Sequence, residues 1–114
     1  MSDYDIETIE ISMEHAQKML DLKKSLDKLM KNRDFKNIVL EGYFEKEAQR
    51  LVMLKSDYTM QSPDNQAEII KQIDSIGSFR QYLNMVRALG QQAEKSMDDL
   101  ENTRTELLNE ELDV

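Results

Sequence analysis

The sequence predicts an all-α fold, a long antiparallel helical hairpin, from three observations: helix breakers are scarce, apolar residues step by three and four, and one strong turn lies near the middle. Among 114 residues there are three Gly and one Pro. Apolar residues make up 39% and charged residues 33% of the chain, fewer large apolar groups than a compact globular core uses. The shortfall is spread evenly, so long helices that bury a narrow stripe and solvate the rest fit the composition. One helical domain over residues 1–114 is expected, with helices at about 4–32, 35–55 and 63–110 and a turn at 56–62.

In the first segment Ile6, Ile9, Met13, Ala16 and Leu20 mark one helical face. Met19, Leu22, Leu26, Leu29 and Met30 continue it after a small rotation. Asp3, Asp5, Glu7 and Glu10 load the helix start with the sign its dipole prefers, and Lys18, Lys23, Lys24, Lys28 and Lys31 load its end. Asn32-Arg33-Asp34 offers capping residues without Gly or Pro. The first arm can therefore break there or run straight through.

From Phe35 to Lys55 apolar residues cover more than one face, among them Ile38, Val39, Leu40, Tyr43, Phe44, Leu51 and Val52. This segment is expected to be the most buried helix. Ser62-Pro63-Asp64 reads as an N-cap, a proline at the first helical position and an acid in the first turn. Beyond it Ile70, Ile73, Ile76, Phe79, Leu83, Val86, Leu89, Ala93, Met97, Leu100 and Leu107 keep helical spacing without a breaker. A helix of that length reaches roughly 70 Å and needs a partner along it.

Folding the chain at the turn sets Gly42 opposite Gly77, where two glycines would let the backbones approach closely. Leu29 then meets Gly90, Leu26 meets Ala93, Leu22 meets Met97 and Met19 meets Leu100. Gly42, Gly77, Leu83, Gly90, Leu26 and Leu22 are thus the expected helix-packing residues, and a larger side chain at Gly42 or Gly77 is expected to overpack the pairing. The same alignment brings Asp3, Asp5, Glu7 and Glu10 beside Glu106, Glu110, Glu111 and Asp113, so like charges face each other. A compact three-helix bundle, with the first helix folded back at Asn32–Asp34, is the alternative that relieves this.

Little in the chain points to catalysis. It has one His, no Cys and no glycine-rich phosphate loop, so the usual nucleophile–base pairs cannot be assembled. His15 beside Glu14 reads as a surface histidine. Glu41 with Glu45, and Glu106 with Glu110, lie one turn apart, but acid–base work needs carboxylates in contrasting environments, and neighbouring Lys and Arg favour solvated ion pairs. No catalytic residue, metal site or cofactor is expected. The eight Met fall mostly in or beside the apolar stripes, where core packing outweighs an adaptable groove.

Net charge is −8 and the pI is near 4.6. That surface repels nucleic acid and anionic membranes, and no stretch is apolar enough to span a bilayer. The acidic start Met1-Ser2-Asp3-Tyr4-Asp5 has no apolar signal core, so a cytoplasmic protein is expected. Charge is also blocked: Lys18–Lys36 holds seven basic and three acidic residues. The C-terminal block holds seven acids, Asp98, Asp99, Glu101, Glu106, Glu110, Glu111 and Asp113, and one base. The acidic end is the candidate partner-binding surface. Dipole matching and solvation account for the blocks simply; pairing between subunits and nucleic-acid mimicry towards a basic cleft are the sharper readings.

The stretch Asn32-Arg33-Asp34-Phe35-Lys36-Asn37-Ile38-Val39-Leu40-Glu41-Gly42-Tyr43-Phe44-Glu45-Lys46-Glu47-Ala48-Gln49-Arg50-Leu51-Val52, together with Ile73-Asp74-Ser75-Ile76-Gly77-Ser78-Phe79-Arg80-Gln81-Tyr82-Leu83, resembles small acidic helical proteins of tailed bacteriophages. It covers roughly the middle half of the chain. Those proteins are mostly uncharacterised, so the resemblance carries no functional residues across. It implies a phage setting, in the host cytoplasm or the virion. The leading expectation is a non-enzymatic structural or assembly protein, a homo-oligomer that docks on a larger complex through protein partners. An acidic inhibitor of a host protein and a prefoldin-like chaperone are the alternatives, the latter weakened because the residues before the turn read as helix rather than β-hairpin.

Overall fold

A computed structural model describes the backbone of residues 3–112 and the side chains of residues 5–112. The chain is all-α, a helical hairpin with no strand among the described residues. Helix α1 spans Asp3–Met30 and a short α2 spans Arg33–Phe35. A π-helical segment follows at Lys36–Glu47, then α3 at Ala48–Lys55. A 3₁₀ turn at Tyr58–Met60 leads into α4, Pro63–Leu112. Two compact units divide these elements. One joins α1 as far as Leu26 to α4 from Met85 onward, and the other comprises Asp27–Asn84.

Local chemistry explains where the elements stop and start. Residues 31–32 leave the helix, and Asn32 restarts it with an extended backbone and a side-chain oxygen that accepts from the Phe35 amide at 2.9 Å. The break left open near Asn32–Asp34 is therefore real, and it is a cap. At the turn, the Gln61 amide donates to the carbonyls of Lys55 (2.9 Å) and Asp57 (2.7 Å). Gln66 donates to Lys55 (2.9 Å) and Met60 (2.8 Å). Two glutamines thus satisfy carbonyls left over where α3 ends. Ser62 Oγ accepts from the Asn65 amide at 3.2 Å, ahead of Pro63 and Asp64, as the sequence predicts. Gln66→Ala, which removes both of its bonds, is expected to cost about 1–3 kcal/mol in a thermal melt. An unchanged melting temperature would show that water replaces them.

In the Asp27–Asn84 unit the core is Leu51, Ile69, Ile76 and Leu83. The expectation that Phe35–Lys55 forms the most buried helix is overturned: no residue of Lys36–Glu47 is buried, and Leu51 is the one buried residue of α3. Hydrogen bonding one residue further along than in an α-helix widens each turn. A stripe at three- and four-residue spacing then no longer stays on one face, so Ile38 turns out to solvent. Gly42 fits this geometry, because a Cβ there would lie 2.9 Å from the Asn37 carbonyl oxygen of its own helix.

The close approach of Gly42 and Gly77 is also corrected. Phe79 packs against Phe44 at 5.5 Å and Tyr43 at 6.4 Å between ring centroids. Rings, not glycines, fill the space between the π segment and α4, and bulky groups there hold the backbones apart. Gly77 is exposed and a Cβ on it would meet nothing within 4 Å.

In the other unit α1 and α4 run antiparallel, since Glu10 lies by Arg104 (4.0 Å) and Lys23 by Glu94 (3.3 Å). That is the partner a hairpin gives α1. A three-helix bundle would instead fold it against the residues just after the turn. Two lines at alternating three- and four-residue steps are buried or half-buried here. On α1 they are Ile6, Ile9, Met13, Ala16, Leu20 and Lys23, and on α4 Val86, Gly90, Ala93, Met97, Leu100, Arg104 and Leu107. Such spacing is that of a coiled-coil seam.

Candidate interaction site

The helix-packing residues divide in an informative way. Leu26, Leu83 and Gly90 are buried as expected. Leu22 is not: it is 43% exposed, and Leu29 is exposed as well. The seam steps from Leu20 to Lys23, so Leu22 falls outside it. Gly90 explains how a lysine can take that place. Its missing side chain leaves room for the Lys23 stem, whose Cγ would sit 2.8 Å from a Cβ at position 90. The methylenes pack while the ammonium reaches out to Glu94. Gly90 therefore meets Lys23, where the expected register set it against Leu29. On α4, apolar spacing assigns Ile70 and Leu89 to the buried stripe, but both are exposed, and their neighbours Ile69 and Gly90 are buried in their stead.

The acidic end is open to solvent. Asp98, Asp99, Glu101, Glu106, Glu110 and Glu111 are all exposed along α4, and Asp113 lies outside the described residues. No basic residue occupies the last turn of α4, so Glu110 and Glu111 work against the helix dipole. The like-charge clash expected with the N-terminal acids is moderated, because Glu10 faces Arg104, the one cation of the acidic block. The Arg104 Nε is buried without a hydrogen-bond partner.

Beside the seam runs a shallow groove. Ile11, His15 and Met19 of α1 form one wall, and Leu89, Gln92 and Ser96 of α4 form the other, with the buried Ala16 and Ala93 between them. Ile11 is 61% and Leu89 37% exposed. Alanines on the floor keep the groove open, and walls of mixed polarity, to which Asp99 and Leu100 also contribute, suit an amphipathic helix laid along it. Apolar spacing alone does not reveal this line, because Ile11 falls outside the stripe it defines and Leu89 falls within that stripe. The available signal was a second line of apolar residues, Met85 and Leu89 on α4, at helical spacing one position off the first.

Two carboxylates outside the groove are held in the charged form. The Arg50 guanidinium hydrogen-bonds Glu47 and holds its carboxyl below the ordinary range. Hydrogen bonds from the Thr59 hydroxyl and amide do the same for Asp57. Both shifts favour the charged form, opposite to what a general acid needs. Among the described residues no three of His, Cys, Asp and Glu are grouped to hold a metal ion, and no helix is long and apolar enough to cross a membrane. Set against known proteins, the chain matches no family model, no curated protein and no solved structure.

Proposed function

We propose that this chain is a non-enzymatic structural or assembly subunit, a helical hairpin that self-associates and docks on a larger complex by protein–protein contacts. The observation that supports this reading is the second apolar line. The seam is already covered within the chain, yet Ile11, Leu22, Met85 and Leu89 stay exposed beside it. Exposed apolar residues aligned along helices mark interaction surfaces more often than solitary ones do. The resemblance to phage proteins makes a virion-associated or scaffolding-like role the most concrete form. Mass spectrometry of purified particles, combined with light scattering of the isolated protein, tests it. Abundant copies in particles and an oligomeric protein support the reading, whereas a strict monomer found in no assembly would falsify it.

The exposed acids of α4 favour a second reading, an acidic inhibitor that occupies a basic cleft on another protein. Changing Glu106, Glu110 and Glu111 to Gln is expected to leave the unfolding free energy within about 1 kcal/mol of wild type. The same change should weaken capture of a basic protein partner at low salt. Partner binding that survives the triple change removes the acidic end from the mechanism.

A further inference from the structure

We propose that the groove walled by Ile11, His15 and Met19 and by Leu89, Gln92 and Ser96 takes the same groove of a second copy of this chain, laid antiparallel. This deepens the self-association in the function proposed above and rests on it. Two helix pairs joined groove to groove make four helices around one core, the arrangement that covers the exposed Ile11 and Leu89 of both copies.

Charge selects the occupant and its direction. Within this unit the charge changes sign along the groove. On the side of the chain ends stand Asp5, Glu7, Glu10 and Glu14 of α1 with Asp98, Glu101, Glu106, Glu110 and Glu111 of α4, and Asp99 in the groove lining at that end, against the single cation Arg104. On the other side Lys18, Lys23 and Lys24 of α1 and Arg87 and Lys95 of α4 outnumber Asp21 and Glu94. A two-fold axis parallel to the helices would stack one acidic end on the other, which is strongly repulsive. An axis perpendicular to them, passing through the groove, lays each acidic end along the basic region of its mate. The change of sign falls along the length of the groove, so one axis through it satisfies the apolar and the charge pairing together.

The chain has no Cys, which makes single-cysteine cross-linking clean. Ser96→Cys lies near the expected axis and Glu110→Cys far from it. Mild oxidation is expected to link Ser96→Cys chains to each other readily and Glu110→Cys chains poorly. The reverse preference overturns the antiparallel arrangement. Ile11→Glu and Leu89→Glu, both at exposed positions and therefore expected to keep the wild-type circular dichroism spectrum, are each expected to raise the dimer dissociation constant at least about tenfold. High salt should weaken the wild-type dimer. A dimer that persists unchanged in both variants overturns the groove as its interface, while the wider reading of a self-associating subunit survives. A wild-type chain that stays monomeric at every concentration overturns both the second copy as occupant and the self-association itself.

Discussion

Truncating Leu51 to alanine is expected to cost about 2–5 kcal/mol, among the largest losses from any single truncation of the described residues. Leu51 and Ile69 are the most deeply buried side chains, each 1% exposed. The surrounding core is small, with Ile76 and Leu83 as the other buried residues of that unit. A cavity in so thin a core has few neighbours to collapse into it, and the unfolding free energy of ordinary domains is only about 5–15 kcal/mol. Val52 and Met53 follow Leu51 directly and are exposed, so their alanine variants should shift stability by less than about 0.5 kcal/mol. Urea titration followed by circular dichroism measures all three. Equal costs at Leu51 and Met53 would mean that α3 packs through a different face.

Adding one methyl group at Gly90 and at Gly77 is expected to act in opposite directions. Gly77→Ala fills open solvent on an exposed helical position. It should stabilise the chain by about 0.8–1.0 kcal/mol, the helix-propensity gain of Ala over Gly. Gly90→Ala has the same intrinsic gain, but its Cβ lands on the Cβ of Lys23. That atom is anchored to the backbone of α1 and cannot swing aside, so the helices must separate. Overpacking of this kind costs about 1–3 kcal/mol, enough to outweigh the propensity term, and Gly90→Leu should cost more. Thermal melts of the two alanine variants settle the point. Two shifts of the same sign would show that Lys23 does not occupy the seam.

These glycines show how far the residues alone could lead. The small-residue contact was expected at Gly42 and Gly77 because both lie near the turn and align in a simple fold-back. What intervenes is the Tyr43, Phe44 and Phe79 cluster, whose rings occupy the gap, and the widened turns of Lys36–Glu47. Neither follows from apolar periodicity, since the same residues would serve an α-helix equally well. The place of Lys23 in the seam is hidden for the opposite reason. Counting apolar residues assigns a lysine to solvent, whereas its stem can pack wherever a glycine opposite makes room.

The candidate site was legible only in part. The exposed acids of α4 were evident from composition and position, because solvation of a charge block needs no partner. The groove was not, because Ile11 and Leu89 become walls only once α1 and α4 are set side by side.

The residues by themselves determined the helices and their punctuation. Asn32, Ser62, Pro63 and the three- and four-residue stepping of apolar groups act through hydrogen bonds and side-chain packing within a turn or two of chain. Tertiary structure alone decided which of two adjacent lines is buried: Lys23 over Leu22, Ile69 over Ile70, Gly90 over Leu89. Neighbouring positions on a helix point about 100° apart, so both can flank a broad apolar stripe. Only the shape of the opposing helix, its rings and its missing side chains, chooses between them.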